Sequence, residues 1–324
     1  MTKTLLLTRS EVESCLDPHR LIPVLKSAFQ SYSLNPGIRP KRVFSPASPG
    51  SLDGAMVLFP GWVADIPAYT VKVHAKFPDG DPAIRGLILL HDRNSGKLLS
   101  VMDSTHVTSV RTGLSGALGT HLLARENARN LSIIGVGVQG RLQLRSLLYF
   151  RRLSQVFVYD LDPDKSNDFC EAMKGFLSGV PIQPVSSHEE AVTRGDIVIT
   201  ATWSRKPFIF LDQVRPGTHI TTLGPDQPGK CEVDADVIRH SVFVCDDRHL
   251  AAEMGALAGA GLGEEFVHAE LGEIIAGIRS GRTSPDQVTV FGAVGLPFQD
   301  LVAAWQVYQE ARRRGIGQQL DFLA

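Results

Sequence analysis

The sequence contains few cysteines, almost no net charge and no long apolar run, and each absence excludes a class of protein. Its four cysteines are far apart and form no C-x-x-C pair, which argues against a zinc ribbon and against a disulfide framework. The 33 basic and 34 acidic side chains leave a net charge of −1, so no basic field predicts binding to nucleic acid. The apolar run at the N-terminus is too short for a signal peptide, and no apolar stretch is long enough to span a membrane. We therefore expect a cytoplasmic protein with reduced thiols.

Motifs of metal-dependent and serine-dependent hydrolysis are also missing. Neither H-E-x-x-H nor G-x-S-x-G occurs in the 324 residues, and the ten histidines show no metal-ligand spacing. We therefore expect no metal in the site. With 43% hydrophobic and 21% charged residues, the composition is that of an ordinary globular protein, and the length predicts two domains.

From residue 131 onward, short apolar runs alternate with helical patterns, unlike the mixed first third of the chain. The runs predict strands at 131–134, 156–159, 197–201, 219–223, 242–245 and 288–291. This alternation predicts an α/β fold with a Rossmann-type doubly wound parallel sheet, because strands joined by helices are covered on both faces. The first third predicts an α+β domain with a helix at 18–32, strands at 69–76, 86–91 and 98–103, and a helix at 108–123. A C-terminal helix at 297–314 is expected to return to this domain.

A glycine fingerprint directly follows the first strand of the second domain. Gly135, Gly137 and Gly140 form G-x-G-x-x-G, and a helical pattern comes next. In dinucleotide-binding units the first glycine allows a tight turn, the second allows close approach of a pyrophosphate, and the third allows helix and strand to pack. The next strand ends in Asp160, which would accept hydrogen bonds from the adenosine ribose, and no arginine directly follows it. The pattern predicts NAD rather than NADP; a strand–helix turn that binds no ligand is the alternative.

Two later strands end in segments that suit a ligand. Thr200, Ala201 and Thr202 end one strand, and the segment 223–226, Leu-Gly-Pro-Asp, ends the next. In an open α/β sheet the ligand crevice lies at the carboxyl ends of the strands, so we expect both segments beside the cofactor. Asp226 could act as a general acid or base, or it could be only a turn residue.

Three cations in the first domain are candidate ligands of an anion. Lys72 lies on the polar face of the strand 69–76, where a surface lysine is the simpler interpretation. Arg111 lies on a helix among small residues, which suggests close approach to a substrate carboxylate or a cofactor phosphate. Arg42 is the third, and periodicity alone does not decide among these interpretations.

Taken together, these residues resemble the ornithine cyclodeaminase/μ-crystallin family, which includes an archaeal-type alanine dehydrogenase and cyclic-imine reductases. The resemblance covers nearly the whole chain. It is carried by Val71-Lys72, Met102-Asp103, Arg111-Thr112-Gly113, the glycine fingerprint, Gly224–Lys230 and Val288–Gly295. Residues 102–113 and 267–277 look most like the alanine dehydrogenase branch.

The resemblance implies roles for particular residues. Arg42, Lys72 and Arg111 would bind the substrate α-carboxylate, and Arg111 would also contact the cofactor. Asp226 would donate or accept the proton beside the reacting Cα, and Val294 would contact the substrate. With the strand-end argument, the expected NAD site comprises Arg111, Thr112, Gly135, Gly137, Val138, Gln139, Gly140, Asp160, Thr200, Ala201, Thr202, Leu223, Gly224, Pro225, Asp226, Lys230 and Ala293.

We therefore expect an NAD(H)-dependent oxidoreductase that transfers hydride at Cα of a small L-amino acid or its (cyclic) imine. One alternative is an ornithine cyclodeaminase-type ammonia lyase, which converts L-ornithine to L-proline plus ammonia and recycles NAD. The cyclodeaminase has a glutamate where this chain has Met56, and methionine would leave a distal ammonium without its anionic partner. A non-catalytic μ-crystallin-like ligand-binding protein is the other alternative, although Asp226 is retained here, unlike in that branch.

The resemblance also implies a homodimer joined through the sheet of the first domain. We expect residues 1–118 with 300–324 to form a substrate-binding and dimerisation domain, and residues 119–299 to form the NAD-binding Rossmann domain. The other expected partner is a small-molecule substrate, with neither nucleic acid nor membrane.

Overall fold

The computed structural model describes residues 3–35, 43–46, 55–77 and 84–322. The chain divides into two compact units, residues 1–111 with 296–324 and residues 112–295. The expected boundaries, after residues 118 and 299, lie a few residues further along the chain. Among the helices of the described ranges, none is long and apolar enough to cross a membrane.

In the described residues, the N-terminal part of the chain has one strand, two helices, five successive strands and a third helix. Its elements are β1 (Thr4–Leu7), α1 (Arg9–Cys15), α2 (Pro18–Leu34), β2 (Val43–Pro46), β3 (Ala55–Gly61), β4 (Ala68–Lys76), β5 (Ile84–Asp92), β6 (Leu98–Asp103) and α3 (Ser104–Leu123), within which the second unit begins. Helix α2 begins at residue 18 as predicted, because the Asp17 carboxylate accepts from His19 N and Pro18 occupies the first turn. Strands β2 to β6 pair in succession as an antiparallel meander.

The second unit, which is described throughout, contains the predicted parallel sheet. Its elements are β7 (Asn130–Ile134), α4 (Val138–Leu147), β8 (Gln155–Tyr159), α5 (Pro163–Lys174), β9 (Ile182–Pro184), α6 (His188–Arg194), β10 (Ile197–Thr200), β11 (His219–Thr222), α7 (Ala235–Arg239), β12 (Val242–Cys245), α8 (Arg248–Met254), α9 (Ala256–Gly259), β13 (Ala269–Glu270), α10 (Leu271–Ile275) and β14 (Thr289–Gly292). The strand order is β13-β12-β14-β11-β10-β7-β8-β9, and every pair is parallel. Because β7 lies between β8 and β10, the chain changes direction across the sheet there, and such a switch point opens a ligand crevice.

Most strands of this sheet are buried on both faces, which explains why many of them are short, mainly apolar runs. Ile133 and Ile199 pack on one face in a core with Leu144 of α4, whereas Ile134 and Val198 belong to the core on the other face. A strand buried on both faces has no solvent side to carry polar residues. The predicted fold class is confirmed.

The C-terminal segment completes the first unit. Helix α11 (Pro297–Arg314) begins and ends at the predicted residues, and β15 (Gln318–Leu320) pairs antiparallel with β1. The described strands of this unit form one sheet in the order β15-β1-β6-β5-β4-β3-β2. Helix α11 packs against β3, β4 and β5, and Phe298 makes ring contacts with Phe29 and Tyr32 of α2.

The buried and exposed faces of β4 are the reverse of those in the simpler interpretation of the sequence, which placed Lys72 on the surface. Lys72 and His74 are buried, whereas Val73, on the opposite face, is 45% exposed. The alternation was predicted, but the assignment of Lys72 to the surface is wrong. Because α11 covers the polar face of β4, the lysine lies in the interior and the valine outside.

Candidate functional site

The three fingerprint glycines lie in the turn between β7 and α4, in three different environments. Gly135 has a φ of +91°, and a Cβ there would lie 2.6 Å from the Ala201 carbonyl oxygen, so a side chain is excluded on two grounds. A Cβ on Gly140 would overlap the Gly135 carbonyl oxygen. At Gly137, by contrast, no atom of the described residues lies within 4 Å of such a Cβ. The turn is therefore closed at Gly135 and Gly140 and open at Gly137.

Helix α4 begins immediately after this open position. Gly137 is its N-cap residue, and no side chain among the described residues caps it. The first turn of an α-helix presents backbone N–H groups and the positive end of the helix dipole, which together favour an anion. Val138 is exposed and Gln139 half-buried. The turn therefore fits the pyrophosphate of a dinucleotide.

Asp160 follows β8 and faces the glycine turn. Its Oδ2 accepts a hydrogen bond from Val136 N at 3.0 Å, and its Oδ1 accepts one from Asp162 N at 3.2 Å. The backbone thus holds this carboxylate at the carboxyl end of β8, next to the turn after β7. A fixed carboxylate at this place suits the ribose hydroxyls of NAD and opposes a 2′-phosphate.

Residues that follow three further strands lie side by side along the same edge. Ala201 N donates to Ile134 O at 2.9 Å, Leu223 N donates to Thr200 O at 3.0 Å, and Ala293 N donates to Thr222 O at 3.2 Å. The parallel ladder therefore continues one residue beyond β10, β11 and β14. These predicted residues, far apart in sequence, share the edge that carries the glycine turn.

One buried carboxylate at this edge was not anticipated from the sequence. Glu232 accepts from the hydroxyls of Thr200, Thr202 and Thr222 and from the backbone N–H groups of Thr202 and Gly224. No spacing rule points to a glutamate at this position, because each of its partners is brought to it by the fold.

Asp226, the predicted acid or base, is about a quarter exposed and paired with Lys230. Its Oδ1 lies 2.9 Å from Lys230 Nζ, and Lys230 is buried with its Nζ 3.9 Å from the centroid of the Trp203 ring. Asp226 N also donates to Gly224 O at 2.9 Å. The ammonium and the turn together orient the carboxylate. Pro225, which lies between Gly224 and Asp226 in the turn, is buried.

A second buried acid anchors the turn after β14. Asp246 accepts from Gly295 N at 2.6 Å and from Val294 N at 3.0 Å. Burial raises the pKa of the Asp246 carboxyl to about 6, against the lowering effect of the hydrogen bonds from Gly295 and Val294. Val294, which is predicted to contact the substrate, thus belongs to a turn whose backbone N–H groups are fixed by the Asp246 carboxylate.

In the first unit, Lys72 and Arg111 are gathered on one carboxylate. Lys72 Nζ lies 2.7 Å from Asp300 Oδ2, and Arg111 Nε lies 3.0 Å from Asp300 Oδ1. Arg111 Nη1 also donates to Gln299 Oε1 at 2.7 Å, and Lys72 Nζ lies 4.6 Å from the centroid of the Phe59 ring. All of these side chains are buried. Asp300 was not predicted, since neither its spacing nor its neighbours in α11 mark it.

The small residues of α3 have a structural explanation of their own. Within the second unit, a Cβ on Gly113 would lie 2.6 Å from Ser146 Oγ, and one on Gly116 would lie 2.5 Å from Gln143 Oε1. Gln143 Nε2 also donates to the carbonyl of Thr112 at 3.1 Å. These glycines therefore allow α3 and α4 to pack closely, and they do not by themselves indicate an anionic ligand.

The sequence analysis also named Arg42 and Met56, and the structure describes only the second of them. Arg42 lies outside the described residues. Met56 is 52% exposed and pairs with Ala75 across the sheet, on the face opposite Lys72. The argument from Met56 against a diamine substrate therefore has no support in this unit, because the side chain points away from the two cations.

A doubly wound parallel sheet, with a glycine turn at its switch point and an acid after the second strand, defines a Rossmann-type dinucleotide-binding protein. The sequence model of the ornithine cyclodeaminase/mu-crystallin family matches residues 2–315. The chain belongs to this family, which confirms the resemblance drawn from its motifs.

The relatives favour the alanine dehydrogenase branch. An alanine dehydrogenase from Archaeoglobus fulgidus is 33% identical over 325 residues, which cover 99% of each chain. The structure of an archaeal alanine dehydrogenase dimer with bound NAD has a TM-score of 0.91 at 31% identity, and covers 99% of this chain and 100% of that chain. Thermococcus litoralis Delta(1)-pyrroline-2-carboxylate reductase, in complex with NADH and L-proline, has a TM-score of 0.90 at 31% identity, with 97% and 99% covered.

Proposed function

We propose that this protein is an NAD(H)-dependent oxidoreductase acting on the C–N bond of a small L-amino acid or its cyclic imine. The observation that carries the proposal is the burial of Lys72 and Arg111 on the shared carboxylate of Asp300. Lysine and arginine are almost never buried unless paired, and cations gathered at one buried place are typical of sites for anionic substrates. The relatives named above act on alanine and pyrroline-2-carboxylate, both of which carry an α-carboxylate.

The cofactor half of the proposal rests on the second unit. Gly137 and the uncapped start of α4 leave room and N–H groups for a pyrophosphate, and Asp160 offers a fixed carboxylate for the ribose. When bound, NAD supplies the hydride acceptor or donor. The residues proposed to line it are the predicted set, which comprises Arg111, Thr112, Gly135, Gly137, Val138, Gln139, Gly140, Asp160, Thr200–Thr202, Leu223–Asp226, Lys230 and Ala293.

The chain's own residues then have separate tasks. Lys72 and Arg111, with Arg42 by resemblance, bind the substrate carboxylate and so orient Cα–H for transfer, which lowers the entropic part of the barrier. Asp226 takes or returns the proton of the substrate nitrogen or of an attacking water. Lys230 holds the Asp226 carboxylate in one orientation.

A substrate screen tests the reaction. L-alanine, L-ornithine, L-arginine, L-proline and pyrroline-2-carboxylate are each incubated with NAD(H) and NADP(H), and NADH absorbance and ammonia are followed. We expect net formation or consumption of NADH. Ammonia from ornithine without net NADH would instead identify a cyclodeaminase, and NADH binding without turnover of any substrate would identify a binding protein.

Two variants test the assigned residues. Asp226→Asn should abolish turnover and leave NADH binding intact, since it keeps the volume and removes the base; unchanged turnover contradicts the mechanism. Asp234→Asn is the control, because Asp234 caps α7 and lies in neither proposed set. Asp160→Ser should weaken the preference for NAD over NADP by removing the repulsion of a 2′-phosphate.

We also propose a homodimer joined through the sheet of the first unit. Val43, Met56, Leu58, Val73 and Leu87 are exposed on its outer face and line a cavity of about 570 Å³, and such patches on a soluble protein mark interaction sites. Light scattering should show a dimer for the wild type and a monomer for Val73→Lys. A cytoplasmic location is proposed as well, supported by four free, buried thiols.

A further inference from the structure

Glu232 is a buried acid whose two carboxylate oxygens accept five hydrogen bonds. Oε1 accepts from Thr202 N and Thr202 Oγ1, both at 2.7 Å. Oε2 accepts from Thr200 Oγ1 at 2.6 Å, from Thr222 Oγ1 at 2.7 Å and from Gly224 N at 3.0 Å. The residue is fully buried. The five donors satisfy the hydrogen-bonding capacity of this buried side chain.

The five donors come from two neighbouring strand ends. Thr200 and Thr222 are the last residues of β10 and β11 and lie opposite each other in the parallel ladder. Thr202 and Gly224 lie in the two loops that leave the sheet at this point, and the second loop carries Asp226. One side chain therefore connects two loops that are both proposed to line the cofactor.

The donors also show why the residue is an acid and not its amide. A hydroxyl can rotate to donate or accept, but the N–H groups of Thr202 and Gly224 can only donate, and each faces a different oxygen of Glu232. A glutamine would place its NH2 against one of these two N–H groups, whichever way it turned. The packing leaves little room to adjust, because a Cβ on Gly224 would overlap Glu232 Oε1 and lie 2.5 Å from the Thr202 carbonyl oxygen.

We propose that Glu232 is a positioning residue that fixes the loops after β10 and β11, and with them Asp226, in the geometry that NAD(H) and the substrate require. The proposal rests on the function proposed above. Glu232 acts through Thr202 and Gly224 and touches neither the cofactor nor the substrate.

Glu232→Gln and a matched control test this role. Asp196 is the control, because it accepts from Arg129 N, Asn130 N and Arg125 Nη2 at the opposite, amino ends of β7 and β10. Both variants exchange a multiply bonded acid for its amide in the same sheet. We expect Glu232→Gln to raise the Kd for NADH and lower kcat/KM, each by about tenfold or more. Asp196→Asn should change stability and leave both values at wild type.

Amide hydrogen exchange gives a readout that needs no activity. We expect Glu232→Gln to lose protection at Thr202 or Gly224 selectively, with the ladder of β7 and β8 unchanged. If Glu232→Gln does not fold, Thr222→Val, which removes one hydroxyl donor to Glu232 at a residue outside the set proposed to line the cofactor, should shift the Kd for NADH in the same direction by a smaller factor.

The possible failures are distinguishable. Wild-type protein that neither binds NADH nor turns over any substrate overturns the proposed function. An active wild type with a Glu232→Gln variant of unchanged Kd and kcat/KM overturns the role of Glu232 alone. Equal losses in Glu232→Gln and Asp196→Asn also overturn it, because a general effect on the sheet would then suffice.

Discussion

Replacing Asp300 by asparagine tests the buried cluster in the first unit most directly. Asp300 Oδ2 forms an ion pair with Lys72 Nζ at 2.7 Å, Asp300 Oδ1 accepts a hydrogen bond from Arg111 Nε at 3.0 Å, and all three side chains are buried. Asparagine keeps the volume, but it removes the charge and turns one oxygen into an NH2 donor. That donor opposes one of the two cations, and both cations lose the carboxylate that they share.

The magnitude follows from burial. Removing one partner of a buried ion pair costs about 3–5 kcal/mol, and because Asp300 serves two cations, we expect Asp300→Asn to lose about 5 kcal/mol in the free energy of unfolding. Glu171 and Lys174 form an exposed pair on α5, with side chains 72% and 57% exposed. Glu171→Gln, the control, should cost at most about 1 kcal/mol.

Urea unfolding at constant pH measures both variants. A double-mutant cycle with Lys72→Met isolates the pair, because in that background Asp300→Asn affects only Arg111, and its cost should fall by about 1–3 kcal/mol. An Asp300→Asn variant within about 0.5 kcal/mol of wild type would refute the reasoning. The reasoning would also be refuted if Asp300→Asn lowered the free energy of unfolding by the same amount with and without Lys72→Met.

Three further predictions follow from buried groups and from the glycine turn. Burial raises the pKa of Asp246 from 3.8 to about 6, so the folded protein keeps a proton that the unfolded chain has already lost between these values. At 1.36 kcal/mol per pKa unit, the stability of wild type relative to Asp246→Asn should therefore fall by about 3 kcal/mol as the pH rises from about 3 to 8; a difference independent of pH in urea unfolding contradicts this. Burial also raises the pKa of Cys231 to about 11 and that of Cys245 well above its usual range, so native protein should resist iodoacetamide at neutral pH and react fully once denatured; rapid native labelling of Cys231 is the opposing result. Gly137→Ala should keep wild-type stability and weaken NADH binding, whereas Gly135→Ala should lower both, and equal stabilities for the two variants would count against this account of the turn.

The parallel sheet was predictable because its signals are local and consistent. The covered strands β8, β10 and β12 are short, mainly apolar runs, and the strand 242–245 begins and ends where predicted. The strands of this parallel sheet that escaped prediction, β9 and β13, have only three and two residues. Segments this short carry too few side chains to establish a period, and neighbouring strands decide whether they pair.

Strand β4 shows a different limit of prediction from the sequence. Alternation along Tyr69–Lys76 established that two faces exist, because the side-chain period of a strand is two. It did not establish which face is inside. Helix α11, from the other end of the chain, covers the polar face and brings Asp300 to Lys72. Pairing with a distant acid makes the burial of a lysine tolerable, and no pattern within the strand reports it.

The dinucleotide-binding unit was determined by the sequence alone, because its glycines, its strand, its helix start and Asp160 form one contiguous segment, in which the positive φ of Gly135 and the close packing at Gly140 require glycine. The family followed from motifs of the same local kind. Only the tertiary structure decided which charges meet. Asp300 joins Lys72 to Arg111, and Glu232 joins the ends of β10 and β11, through contacts between residues that are distant in the chain. A carboxylate whose partners are distant in the chain shows no sequence spacing that predicts these contacts, since tertiary packing, and not periodicity, determines its neighbours.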